Sequence, residues 1–354
     1  MNRTLLARQS LLARVDRPAT EVVEDLVGLQ AQEPLDPYVA LWSRIDGFDP
    51  AALGAALVDR DVVRIGLMRT TLHLVTARDA RRLYPVMRDV MVRAFRSTPF
   101  AKALVGVEMD ELVRAAREIL DEAPHPPAEL GRRLAERWPG RDGSALAWAV
   151  RYHVPLVQVP PRGVWGRTGR AANVTAEAWL GAPMDPETTA DDAVLRYLRA
   201  FGPATSSDIR TWSWLTGVRD VIVRLRPRLR SYRDVAGREL LDVADGVIAD
   251  PGVPAPVRFL PPFDNVFLSH ADRSRINGGR ASGVDFGWRG VVLVDGLIEG
   301  AWRVHRERDA DTMAVELSDG VRGRAQAAVE EEGWRLFAFV APDAASCELT
   351  VIRP

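Results

Sequence analysis

One cysteine, Cys347, and one lysine, Lys102, are all that this 354-residue chain has of either type. A single thiol excludes an internal disulfide framework and a thiolate metal cage. Every other side-chain cation is arginine. No apolar run approaches the ~20 residues that cross a bilayer. The N-terminal Leu5, Leu6, Leu11 and Leu12, broken by Arg8, Gln9 and Ser10, read as an amphipathic helix rather than a secretory leader. A cytoplasmic protein is therefore expected. The five histidines, His73, His125, His153, His270 and His305, form no pair at ligand spacing, and no Gly-x-x-x-x-Gly-Lys loop is present. Neither a metal nor a cofactor is expected. The net charge of −1 gives no basic excess, although clustering rather than the sum decides phosphate binding.

What is present is a pattern used three times: three short helices and then two strands, the signature of a winged helix. In the middle of the chain, helices are predicted over Glu108 to Leu120, Ala128 to Trp138 and Ser144 to His153. A hairpin is expected to follow, from Val154–Val159 through Pro160-Pro161-Arg162-Gly163 to Val164–Arg167, with Arg162 and Arg167 giving it a basic tip. A later copy has helices over Asp191 to Phe201, from Thr205, and over Val218 to Leu225. Its strands are Leu229 to Val235 and Glu239 to Val243, with Arg226, Arg228, Arg230 and Arg233 around the wing. The N-terminal copy has helices over Thr20 to Gln30, Pro37 to Ile45 and Pro50 to Val58, then strands Val62 to Leu67 and Thr70 to Val75.

The last hundred residues differ. Asp295-Gly296 between two apolar runs is a hairpin signal. Strands are expected at Met313 to Leu317, Leu336 to Val340 and Glu348 to Ile352, with a helix at Val321 to Glu332. Thr168 to Asn173 and the Gly-rich stretch Gly278 to Gly287 read as exposed connections. The expected fold class is α+β: winged helices at 1–100, 101–182 and 183–250, then a small β-rich, barrel-like domain at 251–354.

Chemistry concentrates at Gln30-Ala31-Gln32-Glu33-Pro34-Leu35-Asp36-Pro37, where the prolines break the first predicted helix from the second. Two carboxamides offer four donors and two acceptor oxygens without charge. Residue chemistry leaves two readings open. The pair either satisfies backbone groups at a buried helix end, or points from an unwound last turn into a cleft. Glu33 and Asp36 read as solvated helix-cap carboxylates. The tryptophans Trp138, Trp148, Trp165, Trp212, Trp214 and Trp302 read as core.

Gln-Ala-Gln resembles the catalytic Gln-Φ-Gln motif (Φ aliphatic) of the AlkZ-like DNA glycosylases. Leu67-Met68-Arg69-Thr70-Thr71-Leu72-His73-Leu74-Val75 and Pro261-Pro262-Phe263-Asp264-Asn265 extend the resemblance over most of the chain, in the expected order. A sister branch has Asp where Gln32 stands. The resemblance implies three tandem winged helices in a C-shaped arrangement and excision of alkylated purines, including bulky antibiotic adducts and crosslinks, in repair or self-resistance. Gln30 and Gln32 then become the catalytic candidates. Arg69, Thr70, Thr71, His73, Arg162, Arg167 and Asp264 are the candidate contacts to double-stranded DNA, with His73 and Asp264 each open to a purely structural role.

The chemistry suits such a substrate. An N7- or N3-alkylated purine already carries positive charge and leaves as a neutral base, so the enzyme need only position water and stabilise an oxocarbenium-like sugar. Lys102 lies away from the glutamines, so a monofunctional glycosylase without Schiff-base chemistry is expected, acting as a monomer. A non-enzymatic winged-helix regulator explains the repeats equally well but gives the glutamines no duty. A scaffold using the same modules for protein contacts suits the near-zero charge.

Overall fold

The computed structural model describes residues 1–279, 288–306, 311–342, 344 and 346–353. The Gly-rich connection expected at Gly278 to Gly287 lies outside the described residues from position 280 onward.

The chain opens with α1 (Asn2–Arg8), which buries Leu5 and Leu6. Next come α2 (Ala19–Asp25), β1 (Leu29–Gln30), α3 (Asp36–Trp42) and α4 (Pro50–Val58). Asp49 caps α4 by accepting from the Ala51 N–H, and Pro50 fills a position whose N–H would have no partner. Strands β2 (Val62–Gly66) and β3 (Leu72–Thr76) follow, then a 19-residue helix, α5 (Ala77–Phe95). Helices α6 (Pro99–Ala103), α7 (Met109–Glu122), α8 (Pro127–Arg137) and α9 (Gly143–His153) lead to β4 (Leu156–Gln158), β5 (Asn173–Thr175) and α10 (Ala176–Leu180). A third run of α11 (Ala190–Phe201), α12 (Ser206–Ser213) and α13 (Val218–Leu225) ends in β6 (Leu229–Arg233) and β7 (Glu239–Val243). Reciprocal capping boxes start α11 (Thr189 with Asp192) and α12 (Thr205 with Asp208). The C-terminal part holds β8 (Arg258–Leu260), α14 (Asn265–Leu268), α15 (Ser274–Asn277), β9 (Gly290–Val294), β10 (Leu297–Arg306), β11 (Asp311–Leu317), α16 (Arg324–Val340) and β12 (Cys347–Ile352). The molecule is a mixed α+β protein.

Four expectations are corrected. The helix read over Thr20 to Gln30 stops at Asp25, because the N–H groups of Val27 and Gly28 turn back onto the carbonyls of Glu24 and Val23. Gly28 sits at φ +88, where a Cβ would lie 2.5 Å from Val75 Cγ1; the tight reversal sends Leu29 and Gln30 out as a strand. Leu336 to Val340 is the end of α16 and not a strand. The basic-tipped hairpin does not form as drawn either: β4 pairs with β2 (Arg64 opposite Gln158) and with β5 (Gln158 opposite Asn173), so Val164–Arg167 is not its partner. Asn173, read as part of a loop, belongs to β5.

One five-stranded sheet, ordered β1-β3-β2-β4-β5, thus draws strands from the first two helical runs. It is covered on both faces. Val63, Ile65, Val75, Val157 and Val174 join one core, and Leu29, Ala31, Val62 and Leu74 join another. A second sheet, β12-β11-β10-β9-β8, packs against α16. Between them Arg44, just after α3, makes two hydrogen bonds, 2.9 and 2.8 Å, to the carboxylate of Asp264, which follows β8, in a pair wholly hidden from solvent.

Removing one partner from such a pair strands the other charge in the interior. Asp264→Ala is expected to cost about 3–5 kcal/mol in reversible urea unfolding; a loss below about 1 kcal/mol would show the pair to be dispensable.

Candidate active site

Gln30 lies in β1 directly opposite His73 of β3, and the Ala31 N–H continues the ladder to Leu72 O at 2.7 Å. Gln30 therefore sits on an edge strand and Gln32 in the bend just beyond it, not on an unwinding helix end. The strand is held from behind. Asn265 Nδ2 donates to Gly28 O at 2.7 Å and Leu26 O at 3.3 Å, and Arg64 Nη2 donates to Ala31 O at 2.8 Å. Arg64 also donates through Nη1 to Gln158 Oε1 at 2.6 Å. Gly163 makes room for it, since a Cβ there would lie 2.8 Å from Arg64 Cδ. Burial, with Arg162 nearby, brings Arg64 down to about 10, so it is still a cation at neutral pH. A lone arginine inside Val62-Val63-Arg64-Ile65 was the sequence signal for this brace.

The turn between β2 and β3 supplies the next contacts. Arg69 and Thr70 both have left-handed backbones, φ 55 and 59, strain that persists only when the surroundings enforce it. Arg69 Nη1 donates to Trp212 O at 2.9 Å, and its Nη2 donates to Gln30 Oε1 at 3.0 Å. The Thr71 hydroxyl reaches the same oxygen at 3.4 Å. The single Thr71 proton is better placed on Met68 O, at 3.1 Å, so Arg69 is the donor that holds the Gln30 oxygen, and the amide NH2 is the group left to offer. Gln32 is held far more loosely. Its Oε1 receives only a long 3.4 Å contact from the Leu72 N–H, and the residue lines a cavity of about 700 Å³.

Other expected contacts are redistributed. His73 is buried, its Nδ1 3.0 Å from Thr71 O. Burial and then the Arg69 charge push it down to about 3, so it is a neutral core imidazole and not a DNA contact. Asp264 is corrected likewise: paired with Arg44 and capping α14, it presents nothing to DNA. Arg69 is spent on Gln30 and α12 rather than on phosphate. Arg162 lines the same cavity as Gln32, whereas Arg167 is exposed. Trp148 lines this cavity and Trp214 is 46% exposed, so neither is simply core.

Asp36 departs furthest from its expected role. It is buried, and Oδ2 has no hydrogen-bond partner. A helix N-terminus ordinarily favours a carboxylate. Here burial, Glu33 and Asp264 outweigh that and raise the Asp36 carboxyl to about 8. Among the described residues, no group of three or more His, Cys, Asp or Glu side chains is placed to hold a metal, and no helix is long and apolar enough to cross a membrane.

The profile of the AlkZ-like family, described as DNA glycosylase AlkZ-like, matches residues 23–339. The chain belongs to the AlkZ-like DNA glycosylase family. Like that family it is a DNA glycosylase, an enzyme of DNA repair. A curated relative, the interstrand DNA cross-link repair glycosylase of Streptomyces sahachiroi, is 26% identical, the match covering 84% of this chain and 85% of the relative. The solved structure of the Streptomyces sahachiroi DNA glycosylase AlkZ is similar in fold, with TM-score 0.74 and 23% identity over 99% of each chain.

A carboxyl raised in the native state stabilises the fold fully below the unfolded value near 4 and loses that contribution as pH rises through about 8. Asp36→Asn fixes the neutral form. In this AlkZ-like glycosylase the variant is expected to melt a few degrees above the parent at pH 9 and to match it near pH 4; an equal shift at both would contradict a buried titrating Asp36.

Proposed function

We propose that the enzyme is a monofunctional, monomeric glycosylase that releases cationic N7- and N3-alkylpurines from double-stranded DNA in the cytoplasm, bulky adducts and crosslinks included. The helix and strand order supports three tandem winged helices in a C-shape, with boundaries near 100, 182 and 250, followed by the α+β domain. Helix α1 joins the third and last parts in this reading, since Arg8 pairs with Asp242 at 2.7 Å and Asn2 donates to Gly296 O at 2.8 Å. The exposed Arg230 and Arg233 of β6 suit phosphate contact. The relative's name as an interstrand cross-link repair glycosylase supports the adduct class.

One observation carries the catalytic assignment: the acceptor oxygen of Gln30 takes a 3.0 Å hydrogen bond from Arg69, while that of Gln32 has only a long 3.4 Å backbone contact beside the cavity. In this reading Gln32 accepts a hydrogen bond from the attacking water, and the Gln30 NH2 donates to a sugar or phosphate oxygen. The C1′–N9 bond breaks and its electron pair returns to the purine, cancelling the alkyl-induced charge. Water oxygen then bonds to C1′ and its proton passes to solvent. No general acid is required, because the leaving base is neutral once released. Lys102 lies in α6, outside this arrangement.

On duplexes carrying N7-methylguanine, Gln32→Ala is expected to lower single-turnover excision by about 100-fold, on the scale of losing one positioned polar group, and Gln30→Ala by somewhat less. Unchanged rates in Gln32→Ala would refute the assignment. Borohydride should trap no enzyme–DNA adduct; a trapped species would make the enzyme a lyase.

A further inference from the structure

The cavity that Gln32 opens onto is not accounted for by water positioning. Its volume of about 700 Å³ lies in the range that takes a drug-sized group, whereas an enzyme that flips out a single base holds it in a snug pocket. The walls are mostly apolar and come from α5, α8, α9 and the shared sheet, with Met91, Leu130, Ala147 and Leu156 among them. One side is stiffened by a stack. Phe100 lies on the Trp148 ring at 5.0 Å and 9°, and the Arg151 guanidinium sits 4.9 Å from that ring's centre. Arg151 and Arg162 place N–H donors in an otherwise greasy wall, whereas Arg132 at its edge is spent on Glu129 and Glu136.

Helix α9 holds the place of a reader helix in the second helical run. Its Ala145, Leu146, Ala149 and Val150 are buried, and Ala147 and Trp148 face the cavity. We infer that this cavity receives the bulky, mainly apolar substituent of an N7-alkylguanine, and that α9 reads the adduct instead of the base sequence. The inference rests on the glycosylase reading above. It adds where the adduct lies relative to Gln32: its alkyl end enters between α5, α8 and α9, leaving C1′ at the mouth with the glutamine.

Filling the cavity tests this. Parent enzyme, Ala147→Val and Ala147→Phe would be compared on duplexes carrying N7-methylguanine or N7-(naphthylmethyl)guanine, with thermal melts alongside. The measured quantity is the ratio of kcat/KM for the two-ring adduct over that for the methyl adduct. The ratio is expected to fall about threefold with valine and at least tenfold with phenylalanine. A ratio unchanged in the folded valine variant overturns the inference, whatever the phenylalanine variant does to stability. If the parent releases methylguanine and the ratio does not move, only the placement of the adduct fails. If the parent releases neither base, the glycosylase substrate reading fails with it.

Discussion

The geometry of the site depends on holding a two-residue edge strand in place. β1 has little hydrogen bonding of its own, and a short edge segment is intrinsically prone to slip or fray. Asn265 ties the turn before it through Gly28 O and Leu26 O, and Arg64 ties the residue between the glutamines through Ala31 O. The adjacent Asp264 is fixed to Arg44 in a fully buried pair. Three stretches far apart in sequence thus converge on one turn of backbone. The Pro-Phe-Asp-Asn stretch serves the glutamines from behind, as a clamp.

In the proposed reaction an amide orients water or a substrate oxygen only if its dipole is pre-aimed, since reorganising it during reaction would cost what it contributes. Arg69 does the aiming. Its guanidinium spans the Gln30 oxygen and the Trp212 carbonyl, and the left-handed turn at Arg69 and Thr70 gives it that reach. That contact to the oxygen leaves the NH2 end of the Gln30 amide free. Gln32, bound only by a long contact to the backbone, retains the freedom to hold a solvent molecule.

Much of this was legible in the sequence. Helix α4, started by the Asp49 cap and Pro50, and helix α13, with Val218, Val221, Ile222 and Leu225 on one stripe, have the bounds read from pattern alone. Helix α5 was missed although Leu83, Tyr84, Met87, Val90 and Met91 carry the helical period, because Pro85 sits inside it. The glutamines stood out by residue type, but the strand conformation of Gln30 did not, since it comes from pairing with β3 and not from local propensity. Period-two alternation could not decide whether His73 faces a cleft. The sheet is covered on both sides, so either face is interior. The partner of β4 was illegible for the related reason that β2 belongs to another helical run, some ninety residues earlier.

Asp36 is the rival that this account must exclude. It is buried close to the glutamines, titrates at about 8, and has one carboxyl oxygen without a partner, all properties of a candidate proton donor. The decisive measurement is the pH dependence of single-turnover N7-methylguanine release from about pH 5.5 to 8.5, in the parent and in Asp36→Asn. Catalysis by pre-aimed amides predicts the same flat profile for both. A fall in rate through about pH 8 that disappears in the asparagine variant would place the chemistry on the carboxyl instead.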